Sequence, residues 1–241
     1  MQALVRLRGF LCESLRAHAL QFATPMAPRH DDAAGVRMLV AFVVVAVGML
    51  VGLRHVAAAL GMRGSPATDQ GIVATLIVSF VALQLAFVRL PMAAVGLRRF
   101  ADWSQRERLY LFQVAPLAAV AFAFLFREHL LGLLALHGPA GFVVFSVLTG
   151  LGWGMVQEFL YRGWLQTELT RRFGGTAGLL AANLAFTFGP LHVTSLAGPT
   201  GLRWELAGVF LIGLFFGLLY RRSGNLWIPA VLHGLWPPNM G

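Results

Sequence analysis

A glutamate and two histidines stand in segments that are otherwise apolar filler, and a carboxylate with two imidazoles could run general acid/base hydrolysis through an activated water. The first segment is Gln157-Glu158-Phe159-Leu160-Tyr161-Arg162-Gly163. Glu158 and Arg162 are four apart, so they share a helix face, with the acid on the favoured N-terminal side. An ionisable pair at membrane depth is costly and marks a functional site by default; a structural ion pair between helices is the plainer alternative. The second segment is Phe188-Gly189-Pro190-Leu191-His192, and the third is Leu232-His233-Gly234-Leu235-Trp236-Pro237-Pro238-Asn239. A lone histidine in an apolar run is more often a hydrogen-bonded core residue than a catalyst, so what matters is whether these three segments meet.

The helices that must carry them suggest that they do. The Gly174-Gly175 turn lies sixteen residues after Glu158 and seventeen before His192. At a rise of about 1.5 Å per residue, antiparallel helices bring the two side chains to nearly the same depth. The Ser223-Gly224 turn precedes His233 by about ten residues, which places that imidazole in the same half of the membrane. The continuation through Glu168, Arg171 and Arg172 is amphipathic and is expected to stand out of the bilayer. Gly152, Gly154 and Gly163 could allow close helix approach or serve ordinary membrane packing.

A bilayer is the solvent the composition demands. Hydrophobic residues make up 58% of 241 and charged residues 12%, mean hydropathy is +0.72, and soluble domains are about 25% charged. Runs long enough to cross a membrane fall near 37–60, 70–92, 109–127, 141–165, 176–196, 205–221 and 225–238. The expected fold is therefore all-α, a polytopic bundle of about seven transmembrane helices. With the N-terminus inside, fifteen arginines fall on inner segments against four outside, a bias that supports a cytoplasmic N-terminus. A net charge of +9 scattered over loops reads as a topology signal, and no nucleic acid is expected. The single Cys12 excludes an internal disulfide and a multi-cysteine metal site. Residues 1–35 form a basic segment, either an amphipathic helix on the membrane surface, with Leu4, Leu7, Leu11 and Leu15 at helical spacing, or a disordered tail. Residues 36–241 form the transmembrane domain, with the chemistry in 140–241.

Taken in order, the three segments resemble the motifs of the CPBP intramembrane proteases, a family that includes CAAX prenyl endopeptidases and bacterial bacteriocin-processing or immunity proteins. Its signature is Glu-Glu-x-x-x-Arg, then Phe-x-x-x-His, then His-x-x-x-Asn. The resemblance implies an endopeptidase acting on a membrane-associated peptide or protein, or on a C-terminal signal, in the bacterial inner membrane. It implies that position 157 holds the general base, that Glu158 and Arg162 form a structural pair, that His192 helps activate water, and that His233 stabilises the oxyanion. Two positions depart from the signature. Position 157 is Gln157, an amide that can hold a water but cannot take its proton, and Pro237 stands four after His233, with Asn239 the nearest amide.

Without a glutamate at 157, the acceptors left are Glu158, His192 and His233. A Glu158 held by Arg162 is the poorer base. An imidazole titrates near pH 6.5, about right for proton transfer at neutral pH, which favours His192. Gln157 would position the water, and His233 with Asn239 would donate to the tetrahedral oxyanion. No cofactor is expected. A zinc protease is disfavoured because no His-Glu-x-x-His pair exists, although two histidines and a glutamate could form a three-ligand site. The His-Gly-Leu-Trp-Pro string also resembles a segment of secreted acid ribonucleases, but those proteins are soluble and disulfide-bonded. The main rival is a non-catalytic pseudoprotease acting as an immunity or sorting partner, which Gln157 favours. A proton-relaying transporter ranks third, since no paired broken helices suggest inverted repeats.

Overall fold

The computed structural model describes residues 1–22, 30–49, 66–189 and 202–235, with isolated residues between 52 and 61. Among the described residues every regular element is helical, as the composition requires. The helices are α1 (Gln2–His18), α2 (Asp32–Val43), α3 (Pro66–Ala82), α4 (Gln105–Leu125), α5 (Arg127–Phe142), α6 (Thr149–Glu158), α7 (Thr167–Phe173), α8 (Gly175–Phe188), α9 (Leu202–Ser223) and α10 (Trp227–Gly234). Wider π-helical turns extend α2 over Val44–Met49 and α3 over Leu83–Val88. They also join α5 to α6 over Val143–Leu148, and α6 to α7 over Phe159–Gln166.

Among the described residues three segments are long and apolar enough to cross a bilayer: Gln70–Val88, Gln105–Leu125 and Leu206–Ser223. They coincide with the runs expected near 70–92, 109–127 and 205–221. The run expected over 176–196 starts as α8, a shorter apolar helix, and its last residues lie outside the described ones, as does much of the run expected over 37–60.

Local chemistry sets the ends of these elements. Ser104 caps α4 through a reciprocal capping box with Glu107, satisfying two N–H groups that a helix start leaves orphaned. Asp31 caps α2, accepting the Ala34 N–H at 2.7 Å. Gly138, at φ 66°, breaks the helical path just before Pro139, whose ring cannot continue a helix through its own nitrogen. From there the chain runs through α6 and α7 to Gly174, at φ 84°, and turns back as α8.

The stretch from 156 to 168 is the core of the molecule. Val156, Leu160, Tyr161, Arg162, Trp164, Thr167 and Glu168 are all fully buried. On one side Phe80 stacks on Phe159 with ring centres 5.1 Å apart, and Trp164 donates to Gln84 at 2.7 Å. On the other, two side chains donate to carbonyls of α9 one turn apart, Arg162 Nη2 to Gly213 at 2.7 Å and Gln166 Nε2 to Gly217 at 2.9 Å. A Cβ on Gly213 would lie 2.4 Å from Asn183 Oδ1, and one on Gly217 would lie 2.9 Å from Gln166 Oε1. Small residues four apart let polar side chains reach the backbone of a facing membrane helix.

Residues 2–18 form α1, which docks on the start of α4. Ser14 and His18 both bond Gln113 Oε1 at 2.8 Å, Glu13 pairs with Arg106, and Phe22 meets Tyr110 edge-on. Glu168, expected on an amphipathic continuation, is buried, and it gathers His30 at 2.7 Å, Arg171 at 2.8 Å and Arg172. Asp32 extends the cluster by pairing with Arg171 at 2.8 Å.

Candidate active site

Glu158 closes α6 and Arg162 sits in the π-helical stretch that follows, both side chains without solvent exposure. Glu158 Oε2 lies 3.4 Å from Arg162 Nε. The guanidinium spans two partners, since its Nη2 donates to the Gly213 carbonyl and its plane lies 4.8 Å from the Phe186 ring centre. A buried cation needs this much company, because an unpaired one would cost several kcal/mol, on the order of 3–5. π-helical turns recur at functional sites, and this one holds the arginine of the motif.

The other oxygen of Glu158 reaches across to α10, where Oε1 is 2.8 Å from His233 Nδ1. A carboxylate can only accept, so Nδ1 carries the proton and donates. That fixes the tautomer and leaves Nε2 as the basic nitrogen. Two rings hold the imidazole: Phe216 stacks on it at 5.1 Å, and Phe186 meets it edge-on at 5.9 Å. The His233 side chain is 16% exposed, against none for Glu158. The carboxylate is thus sealed in, and the imidazole reaches the surface of the site.

Close backbone contact brings the two helices together. A Cβ on Gly154 would lie 2.5 Å from both the Ala230 carbonyl oxygen and the Gly234 nitrogen, and a Cβ on Gly234 would lie 2.6 Å from Leu151 Cα. Glycines facing each other on α6 and α10 therefore set the separation at which a glutamate and a histidine can bond. Gly152 meets the Val73 side chain instead, and Gly163 has ordinary clearance.

The base of α10 is anchored separately. Glu107, buried on α4, pairs with Arg98 and accepts Asn225 Nδ2 at 3.1 Å. Asn225 Oδ1 accepts the Trp227 N–H at 3.1 Å, the Leu226 N–H bonds the Gly96 carbonyl at 2.9 Å, and Trp227 Nε1 donates to the Arg98 carbonyl at 3.1 Å.

Of the residues singled out from sequence, the fold joins Glu158, Arg162 and His233 directly. Gln157 precedes the glutamate in the chain, half-buried, its Oε1 covered and without a hydrogen-bond partner among the described residues. Tyr161 OH and Arg162 Nη1 are in the same state, so polar capacity gathers on this stretch of helix. His192 and Asn239 lie outside the described residues. No group of three or more metal-ligating side chains occurs among the described residues. Gly154 was named from sequence among glycines that could allow close approach, whereas Phe186, Gly213, Phe216 and the contact role of Gly234 were missed, being indistinguishable there from membrane filler. Asn225 did carry a signal, an asparagine two residues before a helix start.

Residues 139–237 match the family model described as type II CAAX prenyl endopeptidase Rce1-like. No curated protein and no solved structure gives a match. The matched segment begins at Pro139, where Gly138 breaks the helical path, and it encloses all three joined residues. The motif resemblance and the family match fall on the same part of the chain, and residues 139–237 are similar to the type II CAAX prenyl endopeptidase Rce1-like family.

Proposed function

We propose that the chain is an intramembrane endopeptidase that hydrolyses a peptide bond of a membrane-associated or C-terminal-signal substrate through an activated water, with Glu158 and His233 as its working pair. The observation that carries this is the 2.8 Å contact between Glu158 Oε1 and His233 Nδ1, set inside the segment similar to the Rce1-like family. A carboxylate behind Nδ1 orients an imidazole and stabilises its protonated form, the same logic by which an aspartate supports a histidine base in serine hydrolases. His233 Nε2 accepts a proton from water as the water oxygen bonds to the scissile carbonyl carbon. The tetrahedral intermediate then expels the amine as the C–N bond breaks, and His233 returns the proton to the leaving nitrogen. Gln157 Oε1 accepts a hydrogen bond from the attacking water. Arg162 holds Glu158 in place from within the bundle.

The carboxylate behind Nδ1 supports His233 as the base. His192 and Asn239 are left to stabilise the oxyanion. We place the protein in the bacterial inner membrane with its N-terminus cytoplasmic, on the arginine distribution. The non-catalytic reading keeps one supporting feature, the amide at Gln157.

The test is cleavage of prenylated and unprenylated C-terminal peptides by the purified protein in lipid nanodiscs. His233→Ala is expected to abolish turnover, and Gln157→Glu to raise it. Full activity in His233→Ala would remove the assignment of the base. No cleavage by either the natural chain or Gln157→Glu, with binding of peptide retained, would establish the pseudoprotease.

A further inference from the structure

The loop between α3 and α4 carries arginines and a tryptophan that the hydrolytic site does not use. The candidate spans on either side end at Val88 and start at Gln105, so the loop lies at a membrane surface. A third span ends at Ser223, and the turn after it is bonded to the same loop through Leu226 and Gly96. The loop folds as two short 3₁₀ turns, Met92–Val95 and Phe100–Asp102. Arg98, Arg99, Phe100 and Trp103 of the loop then line, with Trp227 and Val231 of α10, an open cavity of about 350 Å³. That volume is in the range of ligand sites, about 300–1,000 Å³.

Its walls are apolar, and its polar capacity is all of one kind. Trp103 is 7% exposed, and its indole N–H is buried without a hydrogen-bond partner among the described residues. Arg98 Nε is in the same state, although Nη2 of that side chain is taken by Glu107. Arg99 is exposed beside them. Buried donors without acceptors are costly, roughly 1–3 kcal/mol each, and donors call for an acceptor. Glu107 neutralises Arg98 and Asp102 lies nearby in the chain, yet Arg99 and Arg108 leave the rim positive. Arg108 is held with its guanidinium 5.0 Å from the Phe100 ring centre.

We propose that this cavity binds the phosphate of an anionic membrane phospholipid, with Arg99 donating to the phosphate oxygens, Trp103 Nε1 and Arg98 Nε turning from their covered positions to join it, and the acyl chains lying along Trp227 and Val231. Tryptophan and arginine at headgroup level are what such a ligand recognises, and three span ends place the cavity at that level. The site is separate from Glu158 and His233, but its far wall is the helix that carries His233. Bound lipid therefore rests on α10.

The experiment is native mass spectrometry of the full chain released from nanodiscs of phosphatidylcholine with an equal share of phosphatidylglycerol. The natural chain is expected to retain phosphatidylglycerol preferentially. Arg99→Gln, a change at an exposed side chain, and Trp103→Phe, which deletes the N–H and keeps a ring, are each expected to lower retention about tenfold, the scale of a charge-assisted hydrogen bond. Arg172→Gln, on α7, serves as the charge control and is expected to retain lipid as the natural chain does. Equal retention of the two lipids, unchanged retention in Arg99→Gln, or an equal loss in Arg172→Gln would overturn the proposal. So would complete displacement of the lipid by millimolar inorganic phosphate, which would identify a free anion as the ligand.

Discussion

At the scale of single residues, Glu158 serves two partners with its two oxygens, Arg162 on its own helix and His233 across the interface. Each role predicts a different failure. Glu158→Gln can still hydrogen-bond the imidazole, but it leaves the Arg162 guanidinium buried against a neutral group, which costs on the order of 3–5 kcal/mol. Unfolding in detergent followed by helix ellipticity should show that loss. Replacing both charges together, Glu158→Gln with Arg162→Met, should return stability to within about 1 kcal/mol of the natural chain, since buried pairs exchanged for apolar groups are often neutral. Peptide cleavage should not return with it. Stability and turnover recovering together would show that the carboxylate acts only as an anchor for the arginine. The pair was legible in the sequence because a spacing of four on a helix is a contact that needs no tertiary knowledge. The contact with His233 was legible more weakly, through turn arithmetic that fixes depth but not azimuth. Depth would have been satisfied equally by an imidazole facing lipid.

The azimuth is set at the scale of elements, by glycines. Gly154 and Gly234 let the backbones of α6 and α10 touch, and that contact turns His233 toward Glu158. Gly154→Ala would place a methyl 2.5 Å from backbone atoms of α10, which cannot yield as a side chain can. Overpacking of this kind costs about 1–3 kcal/mol, and a shift of about 1 Å at the reacting groups lowers turnover about a hundredfold. Gly152→Ala meets a valine methyl at the same distance, which can rotate away, so its turnover should stay within about threefold of the natural chain. Cleavage assays on the two alanine variants check the contrast, and equal effects would show that helix propensity rather than contact is responsible. The sequence offered Gly152, Gly154 and Gly163 without ranking them, because a glycine's neighbours are a tertiary property. The anchor of α10 was equally hidden, since Glu107 and Asn225 are 118 residues apart and no local pattern links them.

At the scale of the whole molecule, Glu168 ties the chain's beginning to its centre. It lies beyond the last turn of the motif stretch and holds His30 at a separation of 138 residues, and Gly35 packs against its carboxylate. Burial pushes its carboxyl up, but hydrogen bonds from Arg171, Arg172 and His30 outweigh burial and hold it at about 2, below the ordinary 4.5. A depressed carboxyl contributes stability that is complete above the unfolded value and fades as pH falls through the folded one. The natural chain should therefore lose on the order of 2 kcal/mol between about pH 4.5 and pH 2 from this group, after allowance for the partly exposed arginines. Glu168→Gln should be less stable at pH 7 and nearly flat over the same window. Chemical unfolding at stepped pH measures both slopes, and parallel curves would exclude the cluster as a source of acid lability. The apolar runs near 70–92, 109–127 and 205–221 were readable from composition, because the bilayer imposes their length. A charged cluster that joins segments far apart in the chain leaves no such periodic trace. For orientation, reporter fusions after Ser104 and after Arg203 are expected on opposite faces of the membrane, and the same face for both would overturn the arginine-based topology.

The π-helical run from Phe159 to Gln166 makes the length of this stretch part of its function. A π turn accommodates a residue more than an α turn, so removing one residue between Gly163 and Leu165 would let the stretch relax to α geometry with the residues after it close to register, whereas removing one from an ordinary α turn would rotate everything after it by about 100°. Gln166, Thr167 and Glu168 meet Gly217, Tyr220 and His30 respectively, so the wider turn sets the phase between these three contacts and the Glu158 side chain that precedes it. The extra residue is thus a phase adjuster, and its loss would be absorbed locally where the same loss from an α turn would not.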